Sequence, residues 1–124
     1  MDGISYFYAE VKRLKSLLNE IESSERMPVF FLIDEIFRGT NNIERLKGSS
    51  AFIKKIADKN VIGAIATHDL ELIKLSEKIK EVHNYHFKEE IKDSRMMFDY
   101  KIHEGPCPTT NALKIMSMEG LPIE

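Results

Sequence analysis

A chain of 124 residues has room for one modest domain and not for two. With 18 Lys and Arg against 20 Asp and Glu the net charge is −2, so the chain lacks the basic face that a reader of duplex DNA normally presents. Its single cysteine excludes an intramolecular disulfide and any cysteine-built metal site within one chain.

Cys107 lies between Pro106 and Pro108 in an expected loop, without the activating neighbour that a catalytic thiol needs. The first residues show neither a basic nor an apolar leader segment, and no apolar run approaches membrane-spanning length. A cytoplasmic location with no membrane partner is therefore expected.

Residues 5–21 place Phe7, Val11, Leu14, Leu18 and Ile21 at three- and four-residue spacing. This predicts an amphipathic helix with Ser5 or Asp2 as its N-cap. The basic cluster Lys12-Arg13-Leu14-Lys15 falls on the solvated face of that helix. Glu22–Pro28 reads as a surface loop. The apolar run Val29–Ile33 then predicts a strand buried on both faces. After a turn at Arg38–Asn42, residues 43–57 regain helical spacing, with Asn42 expected as cap. Gly48 costs this helix about 1 kcal/mol against Ala, which points to close helix–sheet packing there.

Val61–Ala66 predicts a second buried strand, Leu70–Lys80 a short helix and Val82–Phe87 a third strand. Residues 88–95 read as a charged turn and Met96–Ile102 as a half-exposed strand. Asn111–Met118 closes the chain as a helix, capped by Thr109 or Thr110 and stopped before Gly120 and Pro122. Alternating helices and apolar strands indicate an α/β fold with a largely parallel sheet and flanking helices.

Three constellations carry chemistry. Asp34-Glu35 ends the first apolar strand, the pattern of a Walker B strand. There the first carboxylate meets the water shell of a Mg²⁺ ion, and the second orients and deprotonates the water that attacks a terminal phosphate. Ala66-Thr67-His68-Asp69 ends the next strand. Neighbouring parallel strands converge at their carboxyl ends, which puts His68 near Asp34 and Glu35. Gly39-Thr40-Asn41-Asn42 follows the Walker B strand, as a turn and helix cap and as a candidate contact to a second nucleotide site.

The order of these pieces carries a resemblance. Ser5-x-Phe7-x-x-Glu10, then LIDEIFRGTN, ATHDLEL, HNYHF and the tail FDYKIHEGPCPTTNALKIMSMEGLP together resemble the ATPase domain of the MutS mismatch-repair family, most of all its stand-alone bacterial members. The turn LIDEIFRGTNN replaces a Ser-rich turn, and ATHDLEL lacks an aromatic after the histidine. Both departures favour a MutS-like side branch.

The resemblance implies an ABC-type P-loop ATPase that works as a dimer with composite sites. It implies ATP and Mg²⁺ as cofactors, with Asp34 toward the metal, Glu35 as general base and His68 as the switch residue. Ser5 would be the signature serine reaching the partner's γ-phosphate, and Thr40 and Asn41 the D-loop. Residues 1–124 would then be the carboxyl-terminal part of that domain, with the P-loop strand and helix absent.

No G-x-x-x-x-G-K-[ST] run occurs in the sequence. Met1 is accordingly expected to be an internal start, and hydrolysis by the chain alone is not expected. Three readings follow: a half-domain inactive by itself, an enzyme completed by a P-loop-bearing partner chain, or a remnant with a structural or interaction role. DNA contact would need regions absent here. Unpaired strand edges and the apolar side chains of Phe30, Ile33, Ile62 and Ile65 predict a homo-oligomer, with strands 61–66 and 82–87 adjacent or bridged by a second copy.

Overall fold

Strand β1 (Val29–Asp34) and strand β2 (Val61–Ala66) pair in parallel and in register, from Val29 opposite Val61 to Asp34 opposite Ala66. This pairing comes from a computed structural model that describes residues 2–107 and 112–122, with side chains from residue 5 onward. The chain divides into two units, Met1–Val82 and His83–Glu124. Among the described residues, no helix is long and apolar enough to cross a membrane.

The first unit begins with helix α1 (Asp2–Ser23), which buries Leu14 and Ile21 along one stripe. The helix starts at Asp2, so Ser5 sits inside it rather than capping it. Helix α2 (Asn42–Ile56) connects β1 to β2, and Asn41, not Asn42, is its cap. The Asn41 side chain accepts a hydrogen bond from the Glu44 amide at 2.9 Å.

The segment expected to be a helix over 70–80 is a 3-10 helix over Leu72–Glu77. Its bonds span three residues, as in Leu72 N–H to the Asp69 carbonyl at 3.1 Å. In that geometry side chains three apart eclipse, which lets Leu72 and Leu75 both enter the core. That core gathers Leu14, Ile36, Leu72 and Leu75, with Ile33, Phe37, Leu46, Phe52 and Ile65 packed against it.

Neither parallel strand is buried on both faces. Along β1 burial alternates: Phe31 and Ile33 are half-buried, Ile33 against the core, while Phe30 and Leu32 are 68% and 72% exposed. In β2, Ile62 is 62% exposed and Ile65 is half-buried. The apolar run therefore reflects two faces of different fate, one packed and one open. Of the four side chains expected at an exposed surface, Phe30 and Ile62 lie there, and Ile33 and Ile65 pack inward.

Gly63 and Gly48 of this unit both stand close against aromatic rings. A Cβ on Gly63 would lie 2.2 Å from the Phe31 ring, which covers its register partner. A Cβ on Gly48 would lie 3.2 Å from the Phe37 ring, so that helical glycine packs against the turn after β1 rather than against a strand.

The second unit is an antiparallel hairpin of β3 (Tyr85–Lys92) and β4 (Arg95–Glu104), followed by helix α3 (Ala112–Met118). The single, largely parallel sheet expected from the sequence is therefore not formed: β1 and β2 make a two-stranded parallel sheet and β3 and β4 a separate two-stranded antiparallel one, with no pairing of β2 to β3. The expected turn over 88–95 is mostly strand. Lys88, Glu90 and Lys92 share one face, and Glu90 holds Lys88 at 3.0 Å and Lys92 at 3.7 Å. Lys88 draws the Glu90 carboxyl below its usual range, and Glu90 in return raises Lys88. The real turn is Asp93-Ser94, both at positive φ, as a two-residue hairpin loop requires.

A bulge interrupts the hairpin between Phe87 and Glu89. There the Asp99 carboxylate accepts from the Lys101 amide at 3.0 Å and meets His103 Nε2 at 2.7 Å. Helix α3 ends as expected at Gly120, whose positive φ closes a Schellman motif through Gly120 N–H to the Ser117 carbonyl and Leu121 N–H to that of Met116. The expected caps Thr109 and Thr110 lie outside the described residues.

Candidate functional site

The carboxyl ends of β1 and β2 build one side of a site from two short loops. The Glu35 amide donates to the Ala66 carbonyl at 2.8 Å, which carries the parallel ladder one residue past Asp34. The strand then ends abruptly, because Glu35 and Phe37 both adopt left-handed backbone with φ of 62° and 55°. For residues with side chains such conformations cost about 1–3 kcal/mol each, so their surroundings must hold them.

Two anchors hold that turn. Ile36, between the two strained residues, is 2% exposed and plugs the core. From helix α1, the Glu10 carboxylate accepts the Phe37 amide at 2.5 Å through one oxygen and the Arg38 amide at 3.0 Å through the other. Hydrogen bonds to a charged group contribute about 1.5–3 kcal/mol each, enough to offset strain of that size.

On the opposite loop, Thr67 Oγ accepts from the Asp69 amide at 3.0 Å, and Asp69 in turn accepts from the Glu71 amide at 3.1 Å. These side chain-to-backbone bonds fix the loop around His68, the residue between them. His68 Nδ1 then stands 2.8 Å from Glu35 Oε1. The His68 side chain is 88% exposed and that of Glu35 22%. An open pair of this kind contributes only about 0–1 kcal/mol to stability, so its importance is the orientation of the carboxylate. A carboxylate fixed by an imidazole and facing solvent suits proton abstraction from a water.

The other expected site residues are placed differently. Asp34 falls on the open face of β1 with Phe30 and Leu32, adjacent to Glu35 in sequence but on the other side of the strand. Ser5 lies on the exposed opening turns of α1. The Thr40 hydroxyl donates to Glu44, and Asn41 caps α2, so both side chains are used in starting that helix. Among the described residues no group of three His, Cys, Asp or Glu side chains is arranged to hold a metal. Sequence reasoning passed over the Glu10 clamp, for which the Phe7-x-x-Glu10 spacing on one helix face was the available signal. It also passed over Arg45, whose Nε lies 4.0 Å from Asp69.

Comparison with known proteins decides the relationship. The family model described as MutS domain V matches residues 1–124, the whole length of the chain.

The chain belongs to the MutS family.

The DNA mismatch repair protein MutS of Aquifex pyrophilus is 34% identical over 125 residues. Its counterparts from Caldicellulosiruptor saccharolyticus and Caldicellulosiruptor bescii are each 30% identical over the same span. Each alignment covers 98% of this chain, and the chain spans 14% of the length of each MutS protein.

Proposed function

We propose that these residues are the carboxyl-terminal half of a MutS-type ATPase domain, in which Glu35 is the general base and His68 orients it. One observation carries this reading: the 2.8 Å contact between Glu35 and His68 at the converging ends of two parallel strands. Ligands of open α/β sheets bind at that edge. The water that attacks a terminal phosphate must lose a proton there, and Glu35 is the carboxylate turned toward the loop that carries His68.

Asp34, next to this base in sequence, presents one exposed carboxylate on the other side of the strand end, so meeting the same ion would need the ion to sit over the end of β1. A single carboxylate suits Mg²⁺, which keeps several waters and takes its remaining ligands from phosphates. Bound with ATP, the ion would neutralise charge on the phosphates while Asp34 meets its water shell. Ser5, Thr40 and Asn41 are the candidate contacts to nucleotide across a dimer, Ser5 through the amino end of α1, where helical amides favour anions. The phosphate-cradling loop would come from a segment outside these residues or from a partner chain. DNA contact likewise belongs to regions outside them, in keeping with the net charge of −2.

Phosphate release with Mg-ATP tests this. The 124-residue chain alone should show none above background. Joined to, or co-expressed with, a P-loop segment of the same family, it should turn over ATP, and Glu35→Gln should lower that rate about 10²–10⁴-fold. Turnover that survives Glu35→Gln would overturn the assignment.

A further inference from the structure

The turn that carries Glu35 is held from 27 residues upstream, by the helix whose amino end carries Ser5. Two side chains three residues apart on one face of α1 do the holding. Glu10 takes two consecutive amides, those of Phe37 and Arg38, with its two carboxylate oxygens. Phe7 packs against the same turn: its ring centroid is 6.4 Å from that of Phe37, and a Cβ on Gly39 would come within 2.7 Å of Phe7 Cβ. Gly39 is therefore what permits the turn to lie directly on the helix backbone.

We propose that Glu10 is a positioning residue, which with Phe7 clamps the left-handed Glu35–Phe37 turn so that the Glu35 carboxylate meets His68. Ordinary loop capping would need one carboxylate oxygen and one amide. Here both oxygens engage, and the two strained residues flank the core anchor Ile36, so removing Glu10 leaves the Phe37 and Arg38 amides without their acceptor and the turn held only by Ile36, the Phe7 packing and the Glu35 amide. The consequence for catalysis rests on the ATPase reading. Helix α1 thereby links its Ser5 end, about 7.5 Å along the axis from Glu10, to the turn that carries the base.

The test is carried out on the chain itself, without turnover, by amide hydrogen exchange and the ring resonances of His68. In Glu10→Ala the Phe37 and Arg38 amides should exchange at least about tenfold faster, while amides of α2 and of the β1–β2 ladder keep their rates. The His68 ring resonances should move, because Glu35 no longer faces them. Glu10→Gln keeps the shape and one acceptor oxygen. It should protect one of the two amides and restore most of the His68 signal, and it decides the matter if the alanine variant fails to fold. Unchanged exchange at Phe37 and Arg38 in both variants, or His68 resonances unmoved in Glu10→Ala, would overturn the proposal. Failure of the P-loop-joined domain to hydrolyse ATP would sink the ATPase reading and leave this measurement intact.

Discussion

His68 Nδ1 and Glu35 Oε1 are 2.8 Å apart although the histidine side chain is 88% exposed. The contact is made by backbone geometry and not by burial: a left-handed residue ends β1 at Glu35, and paired side chain-to-backbone bonds from Thr67 and Asp69 shape the loop after β2. Thr67→Val should therefore disturb the pair while leaving the fold in place. The loss of this one part-buried hydrogen bond costs about 0.5–1.5 kcal/mol. In an ATP-hydrolysing assembly Thr67→Val should lower kcat, with the KM for ATP little changed. Equal changes in both constants would argue against an orienting role for this loop.

The cap of α2 gives a sharper contrast between neighbours. Asn41→Ala removes the acceptor for the Glu44 amide and should cost about 1 kcal/mol, lowering Tm by about 3–6 °C. Asn42→Ala, one residue into the helix, should cost only a few tenths of that. Thermal unfolding followed by circular dichroism separates the two, and equal losses would show that Asn41 is not the cap.

Gly63→Ala should destabilise the parallel pair, because its Cβ would enter the Phe31 ring at 2.2 Å. Overpacking of this kind costs about 1–3 kcal/mol. Trimming the ring by Phe31→Leu should recover part of the loss in the double variant, and denaturant titration of the four proteins measures the coupling. Strictly additive losses would mean that the two residues do not meet.

Phe30, Leu32 and Ile62 leave an apolar strip on the open face of the β1–β2 pair, at 68%, 72% and 62% exposure. Apolar patches of this kind are uncommon on soluble monomers, and a second copy is the expected cover. Light scattering at micromolar concentration should return more than the 14.3 kDa of one chain. Leu32→Lys with Ile62→Lys should reduce it to that value. A wild-type mass of one chain would end this expectation.

Helical spacing was sufficient for α1 and α2, continuous apolar runs of strand length for β1 and β2, and the stop at Gly120 and Pro122 for α3. The strand-end positions of Asp34, Glu35 and His68 were legible as polar residues directly after those runs, but the sequence did not show that His68 meets Glu35 while Asp34 lies on the other side of the strand. The charged strand β3 was not legible, since Lys88, Glu90 and Lys92 look like a turn until their cross-links on one face are seen. Burial also escaped the sequence: an apolar run is the same string whether one face of its strand is covered or both, and only the packed neighbours decide, as Phe30 and Phe31 show. The Glu10 clamp and the 3-10 form of Leu72–Glu77 belong to that second kind of fact. Each depends on groups brought together from distant parts of the chain or onto a shared core, and no local window of residues contains such a contact.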